Sequence, residues 1–472
     1  MIAGLKPYAD YKDSGLSWLG QMPAHWRAQR SKYLFREADE RSIAGVEQRL
    51  SMSQRHGLIP SSQIEERRLV SATNIGGKLC EPGDLVLNRL KAHLGVLAVA
   101  PTSGVVSPDY TVLRPLGTTN HNYFCAVYRS PHCGQELRRR AKGIVEGFWR
   151  LYTDDFYDIR VPVPPPDEQA SIVSFLDWAN GRLERAIRAK RKVIALLAEQ
   201  RQAVIQRAVA RGFDPAVRCK PSGDSWLGEI PEHWSVWRIS RFARVGNGST
   251  PSRARPGYWN GGTYPWLNSS QVNRASIDSA DQFITRAALR ECHLPRVPAG
   301  SVLVAITGQG KTRGKAAPLA IEATINQHIA YITPRLPIVS TNYLHLALTA
   351  AYRQLRAISD DAGSTKGALT CEDLKRLKIA LPPLQEQEDL IERIRTETGA
   401  LTAAAGRLER EIELLREYRT RLVADVVTGQ LDVREAALRL PVETSPGLGA
   451  ELEDDADDSD DSELIDEEAT EA

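Results

Sequence analysis

The 472-residue chain has no run approaching the ~18 consecutive apolar residues of a membrane span. Its N-terminus, MIAGLKPYADYKDSG, lacks the basic-then-apolar pattern of a secretory signal, so a cytoplasmic location is expected. The six cysteines (Cys80, Cys125, Cys133, Cys219, Cys292 and Cys371) show no Cys-x-x-Cys spacing, which fits reduced thiols better than a disulfide framework. His121, Cys125, His132 and Cys133 cluster without a familiar zinc spacing, and partly buried thiols beside surface histidines account for them, so no metal site is expected. Catalytic motifs are missing too. TGQGKT fails as a phosphate-binding loop because the first required glycine is Ala305 and Gly308 stands too close to Gly310. No Gly-x-Gly-x-x-Gly follows a strand, and the Asn/Asp-Pro-Pro-Tyr/Phe string of an amino-methyltransferase is absent. Asp-x-Lys occurs only at Asp10 and Asp373, without the upstream Pro-Asp of many nuclease sites. No catalytic residues are assigned.

What is present is ordinary in total and uneven in distribution. An apolar share of 42% and a charged share of 25% suit a globular chain, and the length allows two to four domains. The net charge of +2 conceals an acidic tail: residues 451 to 472 hold 13 acidic and no basic side chains, leaving 61 basic against 46 acidic in the rest. Such a block of like charge cannot bury enough surface to fold, so disorder is expected from about 445 to 472. It reads either as a solubilising tail or as an acidic competitor for a polyanion site on the basic body.

The chain repeats itself. SGLSWLGQMPAHW (14 to 26) recurs as SGDSWLGEIPEHW (222 to 234) with nine of thirteen positions identical. VPPPDEQ (163 to 169) recurs as LPPLQEQ (381 to 387), and that offset of 218 then holds without a gap for more than forty residues. After each Pro-rich stop comes a long stretch free of proline with apolar residues in alternating steps of three and four. They include Ile172, Leu176, Leu183, Ile194 and Leu197 in the first copy, and Leu390, Ile394, Leu401, Ile412 and Leu415 in the second. From 172 to 208 is 37 residues, a helix of roughly 55 Å at about 1.5 Å per residue. Ordinary core helices average about 11 to 12 residues, so two such helices most simply bury their stripes against each other as a coiled coil.

Between each opening segment and its long helix lies a body of more than a hundred residues, about 27 to 162 and 235 to 380, with strand-like runs such as DLVLNRL, YTVLRP, SVLVAIT and IAYITP. The bodies otherwise diverge, so the scaffold is repeated and the cargo varied. In the second, residues 250 to 315 carry nine basic and three acidic side chains. There TPSRARPGYWNGGTYPWLNSSQ interleaves Arg253 and Arg255 with Tyr258, Trp259 and Trp266, while KTRGK sets Lys311, Arg313 and Lys315 on a Gly-flanked loop. This pattern suits phosphate contact, although KTRGK alone also reads as a solvated loop. The first body offers NRLKAH (88 to 93) and ELRRRAKG (136 to 143).

Taken in order, the twice-repeated WLG-x-x-P-x-HW segments, NGSTPSRARPGYWNGGTYPWLN, PGDLVLNRL, VSPDYTVLRP, INQHIAYI and the PPP-x-EQ or PPL-x-EQ stops resemble the specificity (S) subunit of type I restriction-modification systems over residues 8 to 432. The resemblance implies an α+β chain in which two mixed α/β target recognition domains are joined by two long antiparallel coiled-coil helices with an internal pseudo-two-fold repeat. The expected boundaries are 1–165 and 219–383 for the recognition domains, 166–211 and 384–430 for the spacer helices, and 445–472 for the tail. The implied DNA-reading residues are Arg89, Lys91, His93, Ser107, Asp109 and Tyr110 in the first body. In the second they are Thr250, Ser252, Arg253, Arg255, Tyr258, Lys311, Arg313, Lys315, Gln327 and His328. The helices, through the ten apolar residues named above, would dock two adenine-methylating modification subunits, and a restriction subunit would join them. The chain itself would be noncatalytic and bind no cofactor, with S-adenosylmethionine, ATP and magnesium on the partners; its own ligand would be double-stranded DNA, with no membrane involved.

Physical reasoning leads the same way. Two unlike readers on a repeated scaffold predict two unlike half-sites, whereas a symmetric dimer demands a near-palindrome. Two alternatives stay open: a self-sufficient DNA-modifying or DNA-cleaving enzyme with an unrecognised site, and a coiled-coil scaffold without a DNA role.

Overall fold

The computed structural model describes residues 5–53, 57–63, 73–143, 149–308, 311–360 and 367–441. The tail expected to be disordered lies outside the described residues, as do the side chains of residues 53 and 93. The chain forms two compact units, one of Met1–Ala189 with Glu411–Ala472 and one of Lys190–Arg410. The division falls inside the long helices, Pro166–Arg211 and Leu384–Val427, because each helix gives one half to each unit.

The first helix starts on a proline, which loses nothing at a position whose N–H has no intrahelical partner, and carries Asp167 and Glu168 in its first turn, where carboxylates complement the helix dipole. In the first unit its start packs on the end of the second helix: Ile172, Phe175, Leu176 and Ala179 share a core with Leu422, Val426 and Val427, and Arg419 reaches Glu184 at 3.0 Å. In the second unit the arrangement repeats with the roles exchanged. Ile205, Ala208 and Val209 share a core with Leu390 and Ile394, and Arg207 stands 3.6 Å from Glu397. The helices therefore run antiparallel in each unit, as the resemblance implies, and the three-four stripes form the seam between them.

Each unit carries a four-stranded antiparallel sheet with the same strand order. In the first unit the order across the sheet is Phe35–Ala38, Tyr110–Pro115, Leu85–Asn88, Leu97–Val99. In the second it is Ala243–Asn247, Ile329–Pro334, Ser301–Ala305, Ala316–Leu319. Central strands reading LVLN and SVLVA are apolar without alternation because both faces are covered, one by each of two cores. Leu85 and Leu87 point into the core shared with the long helices while Val86 points into a second one. Val302 and Val304 face the helices while Leu303 and Ala305 face the other side.

The repeated thirteen-residue segment closes each unit onto its helix. Its first half is the loop of a hairpin, held by Ser14 N–H to Gly20 O at 2.9 Å and by Ser222 N–H to Gly228 O at 2.9 Å. The Trp18 indole donates to the Arg160 carbonyl and the Trp226 indole to that of Lys378, in the strand leading to each Pro-rich stop. Trp26 then donates to Glu168 at 3.1 Å with His25 on the other carboxylate oxygen at 2.8 Å; Trp234 and His233 meet Glu386 at 3.0 and 2.9 Å. Gln169 and Gln387 complete the joint. Each donates to a carbonyl of its Pro-rich stop, Pro164 or Pro382, and accepts the backbone N–H of the residue capping another helix of its body, Asn120 or Ser340. These histidines and tryptophans are consumed in joining body to helix.

Candidate nucleic-acid interface

In both units, loops of unlike sequence leave the four-stranded sheet at one edge. In the first unit that edge is the end of Leu85–Asn88 and the start of Tyr110–Pro115, which are paired Asn88 to Tyr110. In the second it is the end of Ser301–Ala305 and the start of Ile329–Pro334, paired Ala305 to Ile329. A further strand-like residue crosses behind each loop, with Leu151 N–H on Arg89 O at 3.0 Å and Leu369 N–H on Ile306 O at 2.8 Å. The sequence-expected residues 89 to 93, 107 to 110, 311 to 315, 327 and 328 therefore gather at equivalent edges.

Within the first unit the expected residues differ in what they can offer. The Arg89 guanidinium donates to the carbonyls of Asp109 at 2.7 Å and Pro108 at 3.4 Å, so it braces the 107–110 loop. Asp109 takes Arg150 at 3.2 Å, and the Ser107 hydroxyl accepts the Asp109 N–H. Tyr110 is buried in the second core, Lys91 is half-buried, and the His93 side chain lies outside the described residues. Arg138, over the Trp149 ring at 4.5 Å, and Arg150 were not among the expected readers; ELRRRAKG was the signal for the former.

The second unit's edge is richer in exposed polar groups. The Thr250 hydroxyl donates to Gln327 Oε1 at 2.6 Å, the Gln327 amide lies 3.0 Å from His328 Nε2, and His328 Nδ1 lies 2.6 Å from the Thr307 hydroxyl. These four side chains form one hydrogen-bonded row. Lys315 reaches Asn273 at 3.0 Å, and the exposed Lys311 has its carbonyl held by Tyr352. At Gly248 a Cβ would stand 1.7 Å from the Ile325 carbonyl oxygen, so only glycine lets the 249–253 segment run along this edge. Ser252 accepts the Trp259 indole N–H through its carbonyl. Arg255 donates to the Tyr258 hydroxyl at 2.7 Å, which donates to Glu291 at 2.8 Å; that bond to the carboxylate pushes the Tyr258 pKa up.

Two expectations need correcting. Arg313 does not project from KTRGK: it is buried, donating to the Gly367 carbonyl at 2.6 Å and pairing with Asp360, so it ties the loop down. A buried charge needs such partners, and a lone reading of the loop cannot reveal them. Nor do the helix residues offered for partner docking form a free face. Ile172, Leu176, Leu183, Leu390, Ile394 and Ile412 are buried, and Ile194, Leu197, Leu401 and Leu415 half-buried, because the three-four stripe is the intramolecular seam. The exposed apolar residues of the long helices include Val193, Leu196 at 55% and Leu414 at 63%; the two leucines stand 218 positions apart and so are repeat equivalents.

Burial pushes the Cys80 thiol up to about 12, and Cys133 is likewise raised by its burial in the core. Among the described residues no group of three or more His, Cys, Asp or Glu is placed to hold a metal ion, and no helix is long and apolar enough to cross a membrane.

Residues 231–413 match the Type I restriction modification DNA specificity domain. The chain is also similar to the specificity subunit of the type I restriction enzyme EcoR124I/EcoR124II of Escherichia coli, 25% identical over 56% of this chain and 62% of that one. It resembles the MjaIX specificity subunit of Methanocaldococcus jannaschii at 32% identity over 35% of this chain. The chain spans 62% and 38% of these relatives' lengths. A chain solved in work on complex assembly and conformational transition of the type I R-M system shares the fold, with a TM-score of 0.58 at 16% identity over 87% of this chain and 99% of that one. The matched stretch covers the second unit's sheet edge and its polar row, and the resemblance read from the sequence holds.

Proposed function

We propose that this chain is the noncatalytic DNA-specificity subunit of a type I restriction-modification complex, working in the cytoplasm and reading a split, asymmetric target. The observation that carries the reading is the duplicated sheet edge: one scaffold presented twice, with unlike loops on it. Each edge would read one half-site through loop side chains entering the major groove. Helices of 46 and 44 residues, roughly 69 and 66 Å long, supply the spacer between half-sites. Repeated scaffolding also suits two copies of one partner, which we assign as adenine methyltransferase subunits carrying S-adenosylmethionine, with restriction subunits supplying ATP- and magnesium-dependent cleavage. Leu196 and Leu414 give that partner two equivalent apolar contacts outside the helix seam.

Sequencing methylated adenines in the host with and without this chain tests the reading. Loss of methylation at one split motif is expected. Methyl transfer to DNA, or its cleavage, by the purified chain alone with S-adenosylmethionine and magnesium would overturn it.

A further inference from the structure

We infer that Arg253 reads a guanine in the half-site assigned to the 231–413 domain. The inference rests on the DNA-recognition reading above and adds which side chain reads and which base it reads.

Basic side chains near the second unit's edge are mostly committed to the fold. Arg313 is buried with Asp360, Arg274 is forked onto Asp281 at 3.0 and 3.1 Å, and Arg255 is tied to the Tyr258 hydroxyl that bonds the Glu291 carboxylate. Arg253 differs. It is exposed, its guanidinium lies 3.6 Å from the centroid of Trp259 and 5.5 Å from that of Trp266, and its hydrogen-bond partner is the neutral Gln282 Oε1, at 2.6 Å from Nη2. The two indoles meet edge to face, 5.2 Å apart at 82°. Each is itself fixed to the loop, Trp259 to the Ser252 carbonyl and Trp266 to the Ser249 carbonyl, both at 3.2 Å. The loop in turn is held against the sheet edge by Ser249 N–H to Ile325 O and by Thr250 to Gln327. Nothing in this set of contacts neutralises the charge.

The chemistry follows from that geometry. An indole covering one face of the guanidinium leaves its in-plane N–H groups as the binding edge, and ordering them in the free protein removes part of the entropy cost of using them. Guanine presents two adjacent acceptors, O6 and N7, in the major groove, matching two parallel N–H donors; adenine replaces one of them with an amino donor, which repels. A lysine placed on the same indoles keeps the charge and loses the fork. Gln282 accepts from one Nη2–H, leaving four of the guanidinium's five N–H donors.

The test compares the full chain in complex with its methyltransferase partner, as wild type, Arg253→Ala and Arg253→Lys, binding its target duplex and a set with each base pair changed in turn. Both variants are expected to lose discrimination at one G·C pair of the half-site belonging to residues 231–413 by about 5- to 150-fold, with the other half-site unaffected. Uniform weakening on all duplexes by Arg253→Ala with recovery by Arg253→Lys means a phosphate contact and overturns the inference. So does wild-type discrimination in both variants, the result of a purely structural stack. Arg253→Lys retains a cation over the indoles, so the comparison stands even where the alanine variant folds poorly. A wild-type complex without sequence preference defeats the DNA-recognition reading itself, before either variant is considered.

Discussion

At the residue scale, the most conspicuous letters are not the ones that face a ligand. Two tryptophans and a histidine in each repeated segment look like a site, yet their polar atoms end on Glu168 or Glu386 and on main-chain carbonyls. The repeat itself was legible in the sequence. Its bonding partner was not, because the accepting glutamate stands 142 positions from Trp26 and 152 from Trp234. The two joints are not equal: Glu168 is 5% exposed and also accepts the Tyr8 hydroxyl, whereas the Glu386 side chain is 33% exposed. Burial and the neighbouring Glu168 drive the Tyr8 pKa far up, so that proton stays in place to donate. Hydrogen bonds to a buried charge contribute about 1.5 to 3 kcal/mol each, and stranded donors cost more than the bond itself. Glu168→Ala should therefore cost roughly 2 to 4 kcal/mol in the first unit and Glu386→Ala roughly half that in the second. Amide hydrogen-exchange protection at residues 14 to 30 and 222 to 238 measures both, and equal losses at the two joints would show that the extra Tyr8 contact contributes nothing. Arg313 gives the converse lesson. A basic residue on a glycine-flanked loop looks the same in sequence whether it faces solvent or the Gly367 carbonyl.

At the element scale, the long helices were the most legible part of the chain, since a three-four stripe sustained over some forty residues suits a helix and no strand or loop. The stripe marks the seam, however, and a docking face has to be sought among what the seam leaves outside. Leu196 and Leu414 stand there at equivalent places. Replacing either with glutamate should leave the helix seam and DNA recognition intact while reducing the copies of the methyltransferase partner retained from two to one, and the double variant should retain none. Native mass spectrometry of the co-purified complex reads this directly; two copies held by both single variants would move the docking face elsewhere. The sheets were less legible. Their common strand order could not be seen by matching the two bodies, whose sequences diverge. Nor does LVLN or SVLVA alternate, because a core lies on each side.

At the scale of the whole molecule, one scaffold occurs twice and differs where loops leave the sheet. That division of labour makes specificity separable: one body should govern one half-site and have no influence on the other. It also accounts for why the positions proposed to read DNA are the hardest to extract from one sequence. Scaffold residues announce themselves by repetition, whereas readers are the positions that do not repeat. The decisive measurement is to exchange residues 235 to 380 for the equivalent body of a relative with a different target and to sequence the methylated adenines in cells carrying the hybrid. The expected motif keeps one half-site and the gap unchanged and replaces the other half-site with that of the donor. A motif altered in both halves, or left unaltered, would contradict the separation of reader from scaffold.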